Sequence, residues 1–589
     1  MRKIKCIFFV TWYLVLCPFV FAATEPFPLE QVRLTDSRWH DNMQRDSAWV
    51  CSITSQQALH NFRTTVGMYS AKEGGYDTMQ KMGGWESPDC DLRGHAVGHL
   101  LSAYGLFYAA TGDSLFYLKG DSVVQGIRAC QRYKGTGYVS AFPEGLIDRN
   151  IAGQSVWAPW YTLHKVMAGM LAQYRYCHND TALVVVQDFA RWAAHKLLRL
   201  DEPTRLRMLR NEFGGMPEVW LDLYAITGDD AALRLADFFY DTAKLDPLYQ
   251  GNFDMGTMHT NTFLPKVIAE AKKSQIINHK SQMAEHFFHE MVCHHIMAPG
   301  ILSDKEHFFP QGTMHKHLSA YTGETCCTYN ILRLAQFLYN SNSNDIRYIQ
   351  YIEQALVNDI LGQQDPETGM VHYFLPMQTG AYKLYSTPMN SFWCCVGSSF
   401  ESHAKYGENI YCHTGDTIQV NLWIPSTLNW EEKGLRLRQV TDFPRSSTTT
   451  LVVEQAPKQK ITIMVRKDST YQIVTRRFKA GDRITVQRDF ALHTVAADGD
   501  SSRVALFYGP ILLAGRLGHV EHPFSDPNKH NDYYTYNYQV PDSIKQVEIK
   551  EVQPVSGQFA EFVTSDGIRI SPLYDIHHER YVVYWKNEK

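Results

Sequence analysis

The sequence predicts a multidomain α+β protein, a closed barrel of α-helical hairpins followed by antiparallel β-sandwich structure. Three observations predict it. At 589 residues the chain is too long for one compact core. Amphipathic helices recur in pairs up to about residue 410, and short β-rich runs replace them after Tyr411. The composition, 44% hydrophobic and 20% charged, is that of a globular protein, and a net charge of −4 offers no basic excess for nucleic acid or an anionic membrane. The 33 tyrosines and 12 tryptophans suit stacking on sugar rings and serve large cores equally well.

Residues 1–23 form an expected signal peptide. Arg2, Lys3 and Lys5 give a positive start, an apolar run extends from Cys6 to Phe21, and Ala22 and Ala23 offer a cleavage point. Pro18 interrupts the run, and no later segment approaches twenty apolar residues, which argues against a retained anchor. LVLC, ending at Cys17, faintly resembles a lipidation signal, but Leu16 is bulky where a small residue is wanted. An exported protein, periplasmic or secreted, is therefore expected.

The expected helical barrel domain spans residues 24–411. LLSAYGLFYAATGD leads into SLFYLKGDSVVQGIRACQRY, and YTLHKVMAGMLAQYRYCHND into TALVVVQDFARWAAHKLLRL. EVWLDLYAITGDD, TFLPKVIAEAKKS and YNILRLAQFLYNSNSND each open a further hairpin, with turns near Gly112, Asn179, Gly228 and Asn344. Repeated hairpins build a solenoid or a toroid. The missing repeat signatures and the long aromatic-rich loops favour a closed barrel with a loop-built pocket. Residues 412–589 read as one or two β-sandwiches, with a break near residue 500, from runs such as TIQVNLWIP, KITIMVRK and SRVALFYGPILLAG.

Two of the 12 cysteines lie in the signal segment, leaving ten, and four of these form the adjacent pairs Cys326-Cys327 and Cys394-Cys395. Neighbouring cysteines bridge only through a strained ring, so a disulfide framework explains them poorly. GETCC (Gly323 to Cys327) and FWCCVG (Phe392 to Gly397) together supply Glu324, Cys326, Cys394 and Cys395, a set suited to tetrahedral zinc. Buried inert thiols are the plainer reading; a structural zinc knob lacks its C-x₂₋₄-C spacing. Glu306, in SDKEHFF, is a loop acid placed eighteen residues before Glu324. His95 and His99 lie four apart on one helix face, and His164, His259 and His403 each sit beside aromatics or amides, so satisfied core residues or sugar ligands are expected ahead of a second metal. Trp157, Trp160 and Tyr161 are candidates for the floor of a sugar subsite, or for core.

Together the motifs CDLRGHAVGHLLSA, WAPWYTLHK, EFGGMPEVWLDLYAITGD, HTNTFLPKVI, EHF, GETCCTYN, FWCCVG, ESHAKYG and HHERYVVYW resemble those of the β-L-arabinofuranosidases, glycoside hydrolase families 127 and 146. Their order and spacing are more similar to the family 146 branch. The resemblance implies an (α/α)₆ barrel with β-sandwich domains and a Zn²⁺ ion held by Glu324, Cys326, Cys394 and Cys395. It implies Cys394 as nucleophile, Glu306 as acid/base and a substrate-binding set of His99, His164, His259 and Trp160. The implied activity is retaining, exo-acting release of L-arabinose from β-L-arabinofuranosides of plant cell-wall glycans. Cys327 departs from the family pattern and opens the prospect of a ligand swap. The alternatives are a glycosidase of the same fold acting on another pectic sugar such as aceric acid, and a non-catalytic carbohydrate-binding protein. A hydrolase using metal-bound water fits poorly, because three thiolates and a carboxylate leave zinc a weak Lewis acid.

Overall fold

The computed structural model describes residues 23–68, 80–277, 282–526 and 539–587, so residues 1–22 of the expected signal peptide lie outside the described residues. The helical hairpins share a local design. Gly112 closes the helix His95–Thr111 at φ 77°, a left-handed turn that glycine adopts without strain, and Asp113 accepts from Leu115 N to cap Ser114–Lys134. Gly228 and Asp229 repeat the device between Met216–Thr227 and Asp230–Phe238. Asn179 and Asp345 cap Asp180–Leu197 and Ile346–Asn358 in the same way.

The hairpins close into a barrel. His95–Thr111 packs on Pro159–Cys177, and the inner ring continues through Met216–Thr227, Thr260–Ile276, Thr325–Ser341 and Cys394–Ala404 back to His95–Thr111. Behind these stand Ser114–Lys134, Asp180–Leu197, Asp230–Phe238, Met283–Glu290, Ile346–Asn358 and Arg38–Ser52, which makes the expected (α/α)₆ arrangement. Five of the pairs are contiguous hairpins. The sixth joins the two ends of the domain, with buried Asp46 facing buried His403 at 3.5 Å. The tightest inner contact depends on small residues: a Cβ on Gly98 would lie 2.2 Å from the Lys165 carbonyl carbon.

The β region departs from expectation in two respects. Strands Glu25–Pro26 and Val32–Leu34, from the segment expected to belong to the barrel, instead pair with Tyr411–Thr414 and Ser426–Trp430 as edges of two five-stranded sheets. Among the strands of the described residues one pairing is parallel, between Thr417–Val420 and Ile461–Lys467. The β region changes sheet between Gln487, the last residue of the five-stranded sheets, and Leu492, which opens an eight-stranded sheet that runs to Lys586. A single apolar core runs from barrel residues such as Trp39, Phe400 and Tyr406 into sandwich residues such as Trp423 and Leu437. The sandwich therefore braces the helices that carry the site. Among the described residues no helix is long and apolar enough to cross a membrane.

Candidate active site

Two neighbouring inner helices bring the cysteine pairs together. Cys326 and Cys327 occupy the first turn of Thr325–Ser341, whose N-cap is Glu324, and Cys394 opens Cys394–Ala404. Helix N-termini favour thiolate over thiol. Ligand atoms of Glu324, Cys326, Cys394 and Cys395 all lie within 4.8 Å of one another, and all four residues are buried. The Cys394 sulfur is 3.2 Å from Glu324 Oε1 and 3.9 Å from the Cys395 sulfur. This group is able to hold a metal ion, as expected from the sequence.

Cys327 is not in the group. Its thiol donates to Glu324 Oε2 at 3.3 Å, and burial together with the Glu324 charge pushes it well above the ordinary thiol range. In this geometry it is a hydrogen-bond donor to the Glu324 carboxyl. Burial opposes ionisation of Cys326 too, but hydrogen bonds from Cys394, Cys395 and Ser398 and the charge of Lys165 hold it well below that range. All ten cysteines from Cys51 to Cys412 are free thiols.

Glu306 stands across the cavity from these helices, on a strained loop. Ser303, Lys305 and Glu306 all have positive φ, at 90°, 49° and 68°, the kind of backbone that persists where surrounding structure over-determines it. The Glu306 carbonyl accepts from Thr260 N at 2.8 Å, which ties the loop to the helix Thr260–Ile276. Its Oε1 accepts from the Tyr373 hydroxyl at 2.6 Å, and its Oε2 lies 3.6 Å from His259 Nε2. The Cys394 sulfur is in turn 3.1 Å from the Tyr373 oxygen. One phenol therefore spans the expected acid/base and the expected nucleophile.

A cavity of about 200 Å³ contains this chemistry. Cys394, Glu306, Glu324, His164 and His259 line it, with Tyr373, Lys165 and Glu212. His164 Nδ1 accepts from Gly215 N at 3.1 Å, so its proton sits on Nε2, and burial holds the ring well below the ordinary histidine range and neutral. His259 is pulled down by burial but raised overall by Glu306 and Glu212. Two larger clefts, of about 840 and 1050 Å³, contain none of the predicted site residues.

Two predicted sugar ligands lie elsewhere. His99 sits between inner helices, buried with its ring against Gly397 and its Nδ1 bonded to Glu401 at 2.6 Å, and it does not line the cavity. Trp160 is buried in the helical core, 5.1 Å from the Phe239 ring, with its indole N–H donated to Asn150. The helix begins at Pro159, which turns Trp160 outward and leaves Trp157 and Tyr161 on the cavity. Tyr373 was not legible, because GMVHYFLPM carries no catalytic pattern. Lys165 follows His164 in WAPWYTLHK and carries no signal of its own.

Residues 31–408 match the family described as "Beta-L-arabinofuranosidase, GH127 catalytic domain", and residues 417–469 match its "GH127 middle domain". No curated protein sequence matches the chain. Among solved structures, the GH127 β-arabinofuranosidase BT3674 superposes with a TM-score of 0.72 at 16% identity, over 96% of this chain and 98% of the other. A GH127 β-L-arabinofuranosidase from Geobacillus stearothermophilus T6 gives 0.68 at 15% identity, over 95% and 100%.

Proposed function

The chain belongs to the GH127 β-L-arabinofuranosidase family of glycoside hydrolases, and from that premise we propose that it releases terminal L-arabinose from β-L-arabinofuranosides with retention. One observation carries the reading: Cys394 and Glu306 line one small cavity and are bridged by the Tyr373 hydroxyl. At about 200 Å³ the cavity is smaller than the ~300–1,000 Å³ of pockets for drug-sized ligands. That volume suits one sugar ring taken from a chain end, hence exo action.

The metal of the reading is zinc. A tetrahedron with Zn–S bonds of ~2.3 Å has sulfur–sulfur edges of about 3.8 Å, the size of the 3.9 Å Cys394–Cys395 separation, and all four ligand atoms lie within 4.8 Å of one another. Zinc bound by Glu324, Cys326, Cys394 and Cys395 would keep the thiols as thiolates at neutral pH and shield them from oxidation. The Cys394 sulfur then attacks the anomeric carbon while Glu306 protonates the departing oxygen, forming a carbon–sulfur bond as the glycosidic bond breaks. Glu306, now a carboxylate, takes a proton from water, whose oxygen displaces the sulfur and restores the anomeric configuration. Tyr373 holds the Glu306 carboxyl towards Cys394, and His164 and His259 supply donors to sugar hydroxyls. Residues 1–23 extend the reading to an exported enzyme acting on plant-wall glycan.

The test follows hydrolysis of a β-L-arabinofuranoside by NMR. The β-anomer of L-arabinose should appear first, with activity lost in Cys394→Ser and Glu306→Gln. Folded, zinc-loaded wild type that leaves the glycoside intact while cleaving another sugar would overturn the substrate assignment.

A further inference from the structure

Trp157 has no part in the mechanism above, yet its placement is costly. Its side chain is 43% exposed, whereas the cavity's inner residues Cys394, Tyr161 and Trp85 are 3%, 7% and 8% exposed, so Trp157 marks the mouth. Its backbone is tied on both sides and its indole has a packing partner. Its backbone N–H donates to Asp91 at 3.2 Å, the preceding carbonyl of Val156 accepts from Asn211 at 2.9 Å, and that of Ser155 accepts from Arg149. Its indole rests edge-on against Trp85, with centroids 5.1 Å apart. The next residue, Ala158, is held at φ 40°, a left-handed conformation that costs an alanine free energy and directs the chain into Pro159. Strain and three backbone ties thus present a rigid apolar face beside a sugar-sized cavity whose inner end is closed by Cys394.

We propose that Trp157 is the platform of a leaving-group subsite, stacking on the C–H face of the sugar residue whose oxygen Glu306 protonates. The proposal rests on the hydrolytic reading above. A furanose with its anomeric carbon at Cys394 sends its departing group towards the mouth, where the preorganised indole meets it at little cost in ordering. Binding energy gained there, remote from the reacting bond, raises turnover of chain-linked substrates over simple glycosides.

The test compares methyl β-L-arabinofuranoside, whose leaving group is too small to reach Trp157, with a β-L-arabinofuranosyl disaccharide. For Trp157→Ala, kcat/KM on the disaccharide should fall by about tenfold while the methyl glycoside is unaffected, and Trp157→Phe should recover most of the loss. An equal loss on both substrates, or no loss on either, overturns the subsite while leaving the hydrolytic reading intact. Wild type inactive on both glycosides overturns the hydrolytic reading and the subsite with it.

Discussion

The Tyr373 hydroxyl donates to Glu306 Oε1 across 2.6 Å. Because the same oxygen lies 3.1 Å from the Cys394 sulfur, the proposed acid/base and nucleophile are held in register by one side chain from a third segment. Glu306 rides on a strained loop and Cys394 on a helix end, so neither alone sets their separation. Tyr373→Phe should keep the fold and the metal while lowering kcat by about 10- to 100-fold. Steady-state kinetics beside a metal assay would check it; unchanged kcat would remove Tyr373 from the account.

Lys165 faces the metal-binding group from the cavity wall, where its charge acts on Cys326 and Cys394. A divalent ion with three thiolates and one carboxylate carries a net charge of about −2, which is costly to bury without a compensating cation. Lys165→Met should weaken zinc binding by about 10–100-fold, and Lys165→Arg should recover part of it. Competition against a chromophoric chelator measures this independently of turnover.

Cys327 acts on the same centre from the other side, through its hydrogen bond to Glu324 Oε2. Cys327→Ser keeps a donor and should retain zinc. Cys327→Ala frees the carboxylate and should weaken zinc binding by about tenfold or more. If Cys327 were a ligand, the serine variant would lose the metal as well.

Glu401 gives a pH signature. Burial works against its carboxylate, but hydrogen bonds from His99 and Tyr329 and the charge of Lys165 carry it down from 4.5 to about 2. Its folded value lies below its unfolded one, so its contribution of about 3 kcal/mol is present above pH 4.5 and is lost as pH falls towards 2. Urea unfolding of wild type and Glu401→Gln should therefore differ at pH 6 and converge near pH 2. A gap that stays constant with pH would contradict the assignment.

Legibility in the sequence followed the physics of each feature. Four of the five contiguous hairpins were readable because a glycine or asparagine turn with a capping side chain joins two periodic segments, as at Gly112-Asp113. The sixth pair was not, since Arg38–Ser52 and Cys394–Ala404 meet only in three dimensions. Glu25–Pro26 and Val32–Leu34 are too short to show alternation, so their place in the β-sheets was hidden. Glu324 and the cysteines were visible as two unusual doublets. Trp160 was misplaced by the left-handed turn at Ala158, which resets the helix phase, and His99 because helical spacing gives a face but not a depth.

The central claim is that Cys394 is the nucleophile of a β-L-arabinofuranosidase. Its most direct test is the intact mass of zinc-loaded wild type and Cys394→Ser after incubation with an electrophilic mimic of β-L-arabinofuranose. The account predicts one adduct in wild type, mapping to Cys394 and absent from the variant. No adduct on folded, zinc-loaded wild type, or an adduct that persists in Cys394→Ser, would contradict it.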